Sequence, residues 1–182
     1  LWRLPTPLSK FAKPQKPMAS KYKFLVIHCS ATKEGQNVTP AAIEYMHRVK
    51  RGWSRSGYSD VITLDGRIHN LHWSGDNPHD DYIQADERTW GVKGQNQWSK
   101  HVCYIGGVEN KRINGKYEPK DTRTHQQYAS LAIYIKNEIL RHPTIKVAGH
   151  YHFAAKACPS FDVEIFLDEI GVKEQHIYRK LA

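Results

Sequence analysis

Gly149-His150-Tyr151-His152-Phe153-Ala154-Ala155-Lys156-Ala157-Cys158 brings two imidazoles, an amine and a thiol close together in sequence. Far upstream, Phe24-Leu25-Val26-Ile27-His28-Cys29-Ser30-Ala31-Thr32 ends an apolar run in a histidine and a cysteine. A catalytic zinc ion needs three protein ligands and a fourth position open to water. His28, one of His150 or His152, and Cys158 make up such a set. Two strands of one sheet could present the imidazoles side by side, because the second pair follows its own short β-branched run, Ile145-Lys146-Val147. Two-residue alternation does not separate His150 from His152, since both would face the same side. Cys158 precedes an expected helix, whose N-terminal dipole favours a thiolate.

The elements that must hold these groups follow from periodicity. The unbroken apolar run over 23–29 predicts a strand buried on both faces. Thr39-Pro40 opens a helix, with Thr39 as its cap and Pro40 in the first turn. Ile43, Met46 and Val49 or Lys50 form its inner stripe, and Gly52 ends it. Asp65-Gly66, between Val61-Ile62-Thr63-Leu64 and Arg67-Ile68-His69, signals a hairpin. Residues 72–101 read as a long, polar, irregular region, and such length points to function or mobility. Trp73, His79, Tyr82, Trp90 and Trp98 are scattered through it.

Residues 102–107 read as a buried strand with a glycine exit, and Asn114-Gly115 as a turn. Thr124-x-x-Gln127 is a capping box. The helix behind it carries Tyr128, Leu131, Ala132, Ile135 and Ile139 inward and stops near His142, before Pro143. Residues 145–148 form a strand. Ser160 or Asp162 caps a last helix carrying Ile165, Phe166 and Ile170, with Gly171 at its end. This order predicts an α/β fold in which helices cover a mixed sheet.

At 182 residues the chain fits one domain with a sizeable core. No apolar run approaches the roughly 20 residues that span a bilayer. The balance of 27 basic against 18 acidic residues gives +9, which suits an anionic partner or serves solubility alone. The three cysteines, Cys29, Cys103 and Cys158, cannot all pair, and without a secretory signal they fit reduced thiols made in a cytosol. Residues 1–17 hold Pro5, Pro7, Pro14 and Pro17 with Arg3, Lys10, Lys13, Lys16 and no acid. They read as an appended or flexible basic leader before a domain over 18–182. Without their four positive charges the +9 falls to +5.

Three motifs in collinear order, Val26-Ile27-His28-Cys29-Ser30-Ala31-Thr32, Gly52-Trp53-x-x-x-Gly57-Tyr58 and Ala155-Lys156-Ala157-Cys158-Pro159-Ser160-Phe161-Asp162, resemble the zinc-dependent N-acetylmuramoyl-L-alanine amidases. That family takes in the lysozymes of T-odd coliphages and, more distantly, the peptidoglycan recognition proteins. The resemblance runs from about residue 23 to residue 170. It implies a single domain, α/β, with a central mixed β-sheet flanked by helices on both faces. It implies one zinc ion on His28, His150 and Cys158, which resolves the open choice against His152. Tyr58 and Lys156 take the roles of non-ligand catalytic residues. The implied activity is that of an endolysin, cleaving peptidoglycan between N-acetylmuramic acid and L-alanine. Such an enzyme is expected to be a monomer, made in the host bacterial cytoplasm without a signal peptide and acting on the cell wall after release.

The alternative within the same family is a protein that binds peptidoglycan or regulates phage RNA polymerase. No specific nucleic acid is expected as a partner, and residues 1–17 are candidates for weak contact with an anionic membrane. The sequence departs from the family pattern at Ser59 and Gly91, where relatives commonly have histidine, and at Ala155, where they often have proline.

Overall fold

Phe24–Cys29 lies inside the main sheet, paired with a parallel strand on each edge. In this computed structural model, residues 19–73 and 81–180 are described. The expectations for residues 1–17 and for His79 lie outside them. In chain order the elements are β1 (Ser20–Lys21), β2 (Phe24–Cys29), β3 (Thr32–Lys33), α1 (Pro40–Tyr45), β4 (Asp60–Ile62), β5 (Ile68–Asn70), β6 (Tyr82–Ile83), β7 (Ser99–Tyr104), β8 (Gly107–Ile113), β9 (Lys116–Pro119), α2 (His125–Arg141), β10 (Lys146–Gly149) and α3 (Val163–Glu169).

The main sheet has the order β10-β2-β7-β4-β5. Its first four strands run parallel, and β5 closes the edge antiparallel to β4. It is therefore the expected mixed sheet. Strict alternation sorts its side chains. Leu25, Ile27 and Cys29 join Val102, Tyr104 and Val147 in the larger core, beneath Leu131 and Ile135 of α2 and Phe166 and Leu167 of α3. On the opposite face, Val61 and Cys103 pack with Ile43 of α1. His28 stands directly across from Cys103 and so belongs to this second face. Helices thus cover both faces, and β2 and β7 are buried on both sides.

The local signals hold at the helix starts. Thr39 Oγ1 accepts the Ala42 N–H, and Pro40 occupies the first turn. Thr124 and Gln127 form both bonds of the capping box. Asn114 and Gly115 both take positive φ, which a two-residue hairpin turn between β8 and β9 requires.

Several boundaries differ from expectation. The inner face of the first helix is Ile43 and His47, whereas Met46 and Val49 are exposed. Beyond Tyr45 the helix widens into a π turn over Met46–Lys50, with Arg51 N–H bonded to Met46 O. That turn carries Val49 and Lys50 away from the sheet. The third main strand begins at Ser99 rather than 102, so the expected irregular stretch ends earlier; it also contains β6, paired with β1. Asp65-Gly66 sits in a wider loop closed by Thr63 N–H to Arg67 O, not in a two-residue turn. In α3, capped by Asp162, the buried face is Val163, Phe166 and Leu167, and Ile165 is exposed.

Candidate active site

Parallel strands align their carboxyl ends, and ligands of α/β sheets gather there. Gly149 of β10 is in register with Ile27 of β2, so His150 and His28 leave the sheet at the same level. Beyond β10 the chain tightens into a 3-10 turn over His150–His152. With about three residues per turn, positions two apart no longer share a side. His150 faces His28, ring centroid to ring centroid 4.7 Å. His152 is turned elsewhere: its Nδ1 accepts the Gly149 N–H at 3.0 Å and its Nε2 lies 3.2 Å from Glu164 Oε1.

Cys158 reaches the same point from the other side of the sheet end. Its Sγ lies 3.8 Å from His28 Nδ1 and accepts the Cys29 backbone N–H at 3.3 Å. That amide takes the part expected of a helix dipole, because α3 begins only at Val163. His28, His150 and Cys158 each offer one ligand atom, and all three atoms lie within 4.8 Å of one another. A tetrahedral zinc ion with bonds of about 2.0–2.3 Å needs donors separated by only a few ångströms, so a small closure suffices.

Burial keeps the imidazoles unprotonated, as metal ligands must be. His28 titrates well below its ordinary value, first through desolvation and then through His101, His150 and Lys156. His150 is drawn down to about 4 by burial and by Lys156. The Cys29 and Cys158 thiols touch, and their contact lowers Cys29 to about 7 and raises Cys158. A divalent cation held by the three donors would reverse that preference, since it would stabilise the thiolate that touches it.

Tyr58 and Lys156 line one cavity of about 190 Å³ with His150 and Cys158. The Tyr58 ring lies 5.1 Å from that of His28. Its hydroxyl interacts with Cys103, and burial together with three neighbouring thiols raises its pKa well above the ordinary phenol value. It therefore acts as a proton donor in hydrogen bonds across the neutral range. Lys156 is exposed, yet its charge is felt by both imidazoles. The cavity continues along Trp53 and Trp90, each with an arginine over its ring, Arg51 at 5.0 Å and Arg55 at 5.6 Å. Hollows of about 370 and 430 Å³ lie elsewhere, but neither gathers a metal-ligating set from the described residues, so size does not mark the site.

Two histidines that sequence reasoning did not single out belong to this region. His47 stacks on Trp53 at 5.0 Å and packs edge-on against Tyr58; its Nδ1 accepts the Gly57 N–H at 3.2 Å. His101 Nδ1 lies 3.0 Å from His28 Nε2. The signal for His47 was its spacing of four from Ile43. His101 carried none, because it follows Ser99-Lys100 and looks like the end of a loop.

The chain is 32% identical to the endolysin of Escherichia phage T7 over 142 residues, covering 77% of this chain and 82% of the relative. The chain belongs to the phage endolysin family. It is also 32% identical to the endolysin of Enterobacteria phage T3 over 151 residues, covering 82% of this chain and 87% of that one. No protein-family model matches it. Among solved structures, the N-acetylmuramoyl-L-alanine amidase LysC of Clostridium intestinale aligns with a TM-score of 0.59 at 20% identity, covering 89% of this chain and 95% of that one. Drosophila PGRP-LB aligns with a TM-score of 0.59 at 17% identity, covering 90% and 91%. These two likenesses show that this endolysin-family chain shares their fold.

Proposed function

We propose that this chain hydrolyses the amide joining N-acetylmuramic acid to L-alanine in peptidoglycan, as a zinc-dependent amidase acting on the bacterial cell wall. The observation that carries the reading is the convergence of His28, His150 and Cys158 at the carboxyl ends of two adjacent parallel strands and the turn beyond them. Their chemistry fits zinc: two imidazoles kept neutral by burial and a thiol supported by a backbone N–H. When bound there, the ion supplies an acidified water and polarises the scissile carbonyl.

The chain's own groups complete the reaction. Attack by water on the amide carbon leaves negative charge on the former carbonyl oxygen. Lys156, exposed and lining the cavity, donates to that oxygen. Tyr58, held protonated, lines the same cavity and offers a second donor. Hydroxyl from water ends on the lactyl carboxylic acid, and a proton must reach the departing amine of L-alanine; Lys156 or Tyr58 can hand it over. The aromatic and arginine-lined extension of the cavity, Trp53 with Arg51 and Trp90 with Arg55, suits an amphipathic glycopeptide.

The test is a metal analysis joined to a digest of purified peptidoglycan. The expected result is about one zinc per chain, new alanine amino termini in the digest, and loss of both after chelation. His150→Ala should lose the metal, while His152→Ala should keep it. A metal-free protein that digests peptidoglycan at full rate would overturn the reading.

A further inference from the structure

The nearest polar neighbour recorded for the His28 ring is another imidazole. Both residues are essentially inaccessible, His28 at 1% and His101 at 0% exposure. We infer that His101 is the positioning residue for His28, fixing its tautomer and ring orientation, and that Gly91 is a glycine so that the His101 ring can stand where it does. The inference rests on the zinc reading above.

The tautomers follow from geometry. His28 Nδ1 is the nitrogen that faces Cys158 Sγ, at 3.8 Å. Holding a metal there uses the lone pair of Nδ1, so the proton of the neutral ring sits on Nε2. Nε2 is 3.0 Å from His101 Nδ1 and donates to it. His101 then carries its own proton on Nε2, a buried atom without a hydrogen-bond partner among the described residues. Leaving that donor unmet costs free energy. A core histidine selected only for packing would be expected to satisfy it. Metal-bound imidazoles usually give their second N–H to a carboxylate, a carbonyl or water. Here a neutral ring accepts it and orients His28 without adding a negative charge.

The surroundings are shaped to this ring. Ser59 clasps the His101 backbone from both sides: Ser59 N–H donates to His101 O at 2.8 Å, and His101 N–H donates to Ser59 Oγ at 3.3 Å. A Cβ added at Gly91 would lie 2.4 Å from His101 Cγ, 2.5 Å from its Nδ1 and 2.8 Å from Gly57 O. No side chain at 91 can coexist with the ring in this place. Ser59 and Gly91 thus both bear directly on His101.

The experiment measures zinc affinity by competition with a chromogenic chelator, and the visible absorption spectrum of the cobalt(II)-loaded protein, for the parent and four variants. His101→Phe keeps the ring volume but removes the acceptor. Gly91→Ala displaces the ring while leaving every imidazole in the sequence. His101→Asn returns an acceptor near the place of Nδ1. His150→Ala is the control for the zinc site itself. His101→Phe and Gly91→Ala should each bind zinc about 10–100-fold more weakly and alter the cobalt spectrum. His101→Asn should recover most of the affinity, which a purely structural role would not produce. If His101→Phe fails to fold, Gly91→Ala and His101→Asn decide. Parent affinity and a parent cobalt spectrum in Gly91→Ala, or an Asn variant no better than Phe, would overturn the inference. A parent that binds no zinc, or a His150→Ala that binds it unchanged, would instead overturn the zinc reading.

Discussion

Tyr58 and Lys156 differ in how firmly the fold holds them, and this separates their expected behaviour. Tyr58 is tied to Cys103 and packed against His28 and His47, whereas Lys156 is exposed on the loop before Cys158. Tyr58→Phe keeps the ring and removes only the donor. Lys156→Ala removes a flexible charge. Each should lower turnover by about 10²–10³ while zinc content stays at the parent level, as read by single-turnover digestion and metal analysis. Parent rates in both variants would remove these residues from the oxyanion role. His47 yields a prediction in pH. Burial, aided by Arg51, lowers it from 6.5 to about 4. As pH falls below 6.5 the unfolded chain takes up a proton that the folded chain refuses until about 4, so stability is lost across that window as acid is added. Urea midpoints of chelator-treated protein at about pH 7 and about pH 5 should therefore differ less in His47→Gln than in the parent. The difference should not vanish, because His150 and His101 are lowered as well, to about 4 and about 3.

At the level of elements, the site is the carboxyl edge of parallel strands whose order the sequence only partly announces. β2, the cap of α1 and the capping box of α2 were legible because each signal is local: an unbroken apolar run, a Thr-Pro pair, a Thr and Gln three apart. His28, one of His150 or His152, and Cys158 stood out as a possible ligand set by residue type and expected strand ends, and only the resemblance chose His150; the structure brings His28, His150 and Cys158 within reach of one another. Val49 and Lys50 were misplaced on the inner face because the π turn over Met46–Lys50 is invisible to a 3.6-residue period, whereas His47 keeps its helical spacing of four from Ile43. The start of β7 was misread because Ser99, Lys100 and His101 are polar yet fully buried. Their partners come from elsewhere in the chain. Lys100 Nζ lies 3.1 Å from Glu138 Oε1 on α2 and 3.9 Å from Asp60 Oδ2 on β4. Tyr134 OH donates to the same Asp60 oxygen at 2.5 Å. This buried cluster ties α2 to β7 and β4 of the sheet. Lys100→Met would take the buried cation from between Asp60 and Glu138, leaving Glu138 with Arg141 at 3.6 Å, and should destabilise the fold by about 3–5 kcal/mol in urea denaturation. A loss within experimental error would mean that the carboxylates find other partners or take up protons.

At the scale of the whole molecule, the net charge of +9 is unevenly shared along the sequence. Of the +9, four charges belong to residues 1–17, which also carry Leu1, Trp2, Leu4, Leu8 and Phe11. We propose that this segment assists approach to anionic envelopes and has no part in the chemistry. Its composition supports that reading: basic residues near an anionic lipid surface contribute about 1 kcal/mol each, and scattered bulky apolar side chains add contact. The claim is differential. A chain beginning at Met18 should digest isolated peptidoglycan as fast as the full chain, since His28, Tyr58, His150, Lys156 and Cys158 all remain. It should lyse intact Gram-negative cells more slowly at low ionic strength. Raising salt to about 0.15 M or beyond should bring the two together, because screening confines the attraction to roughly 8 Å or less. Equal lysis of intact cells at low salt would assign residues 1–17 no role in reaching the wall, and slower digestion of isolated peptidoglycan would place them in the working enzyme.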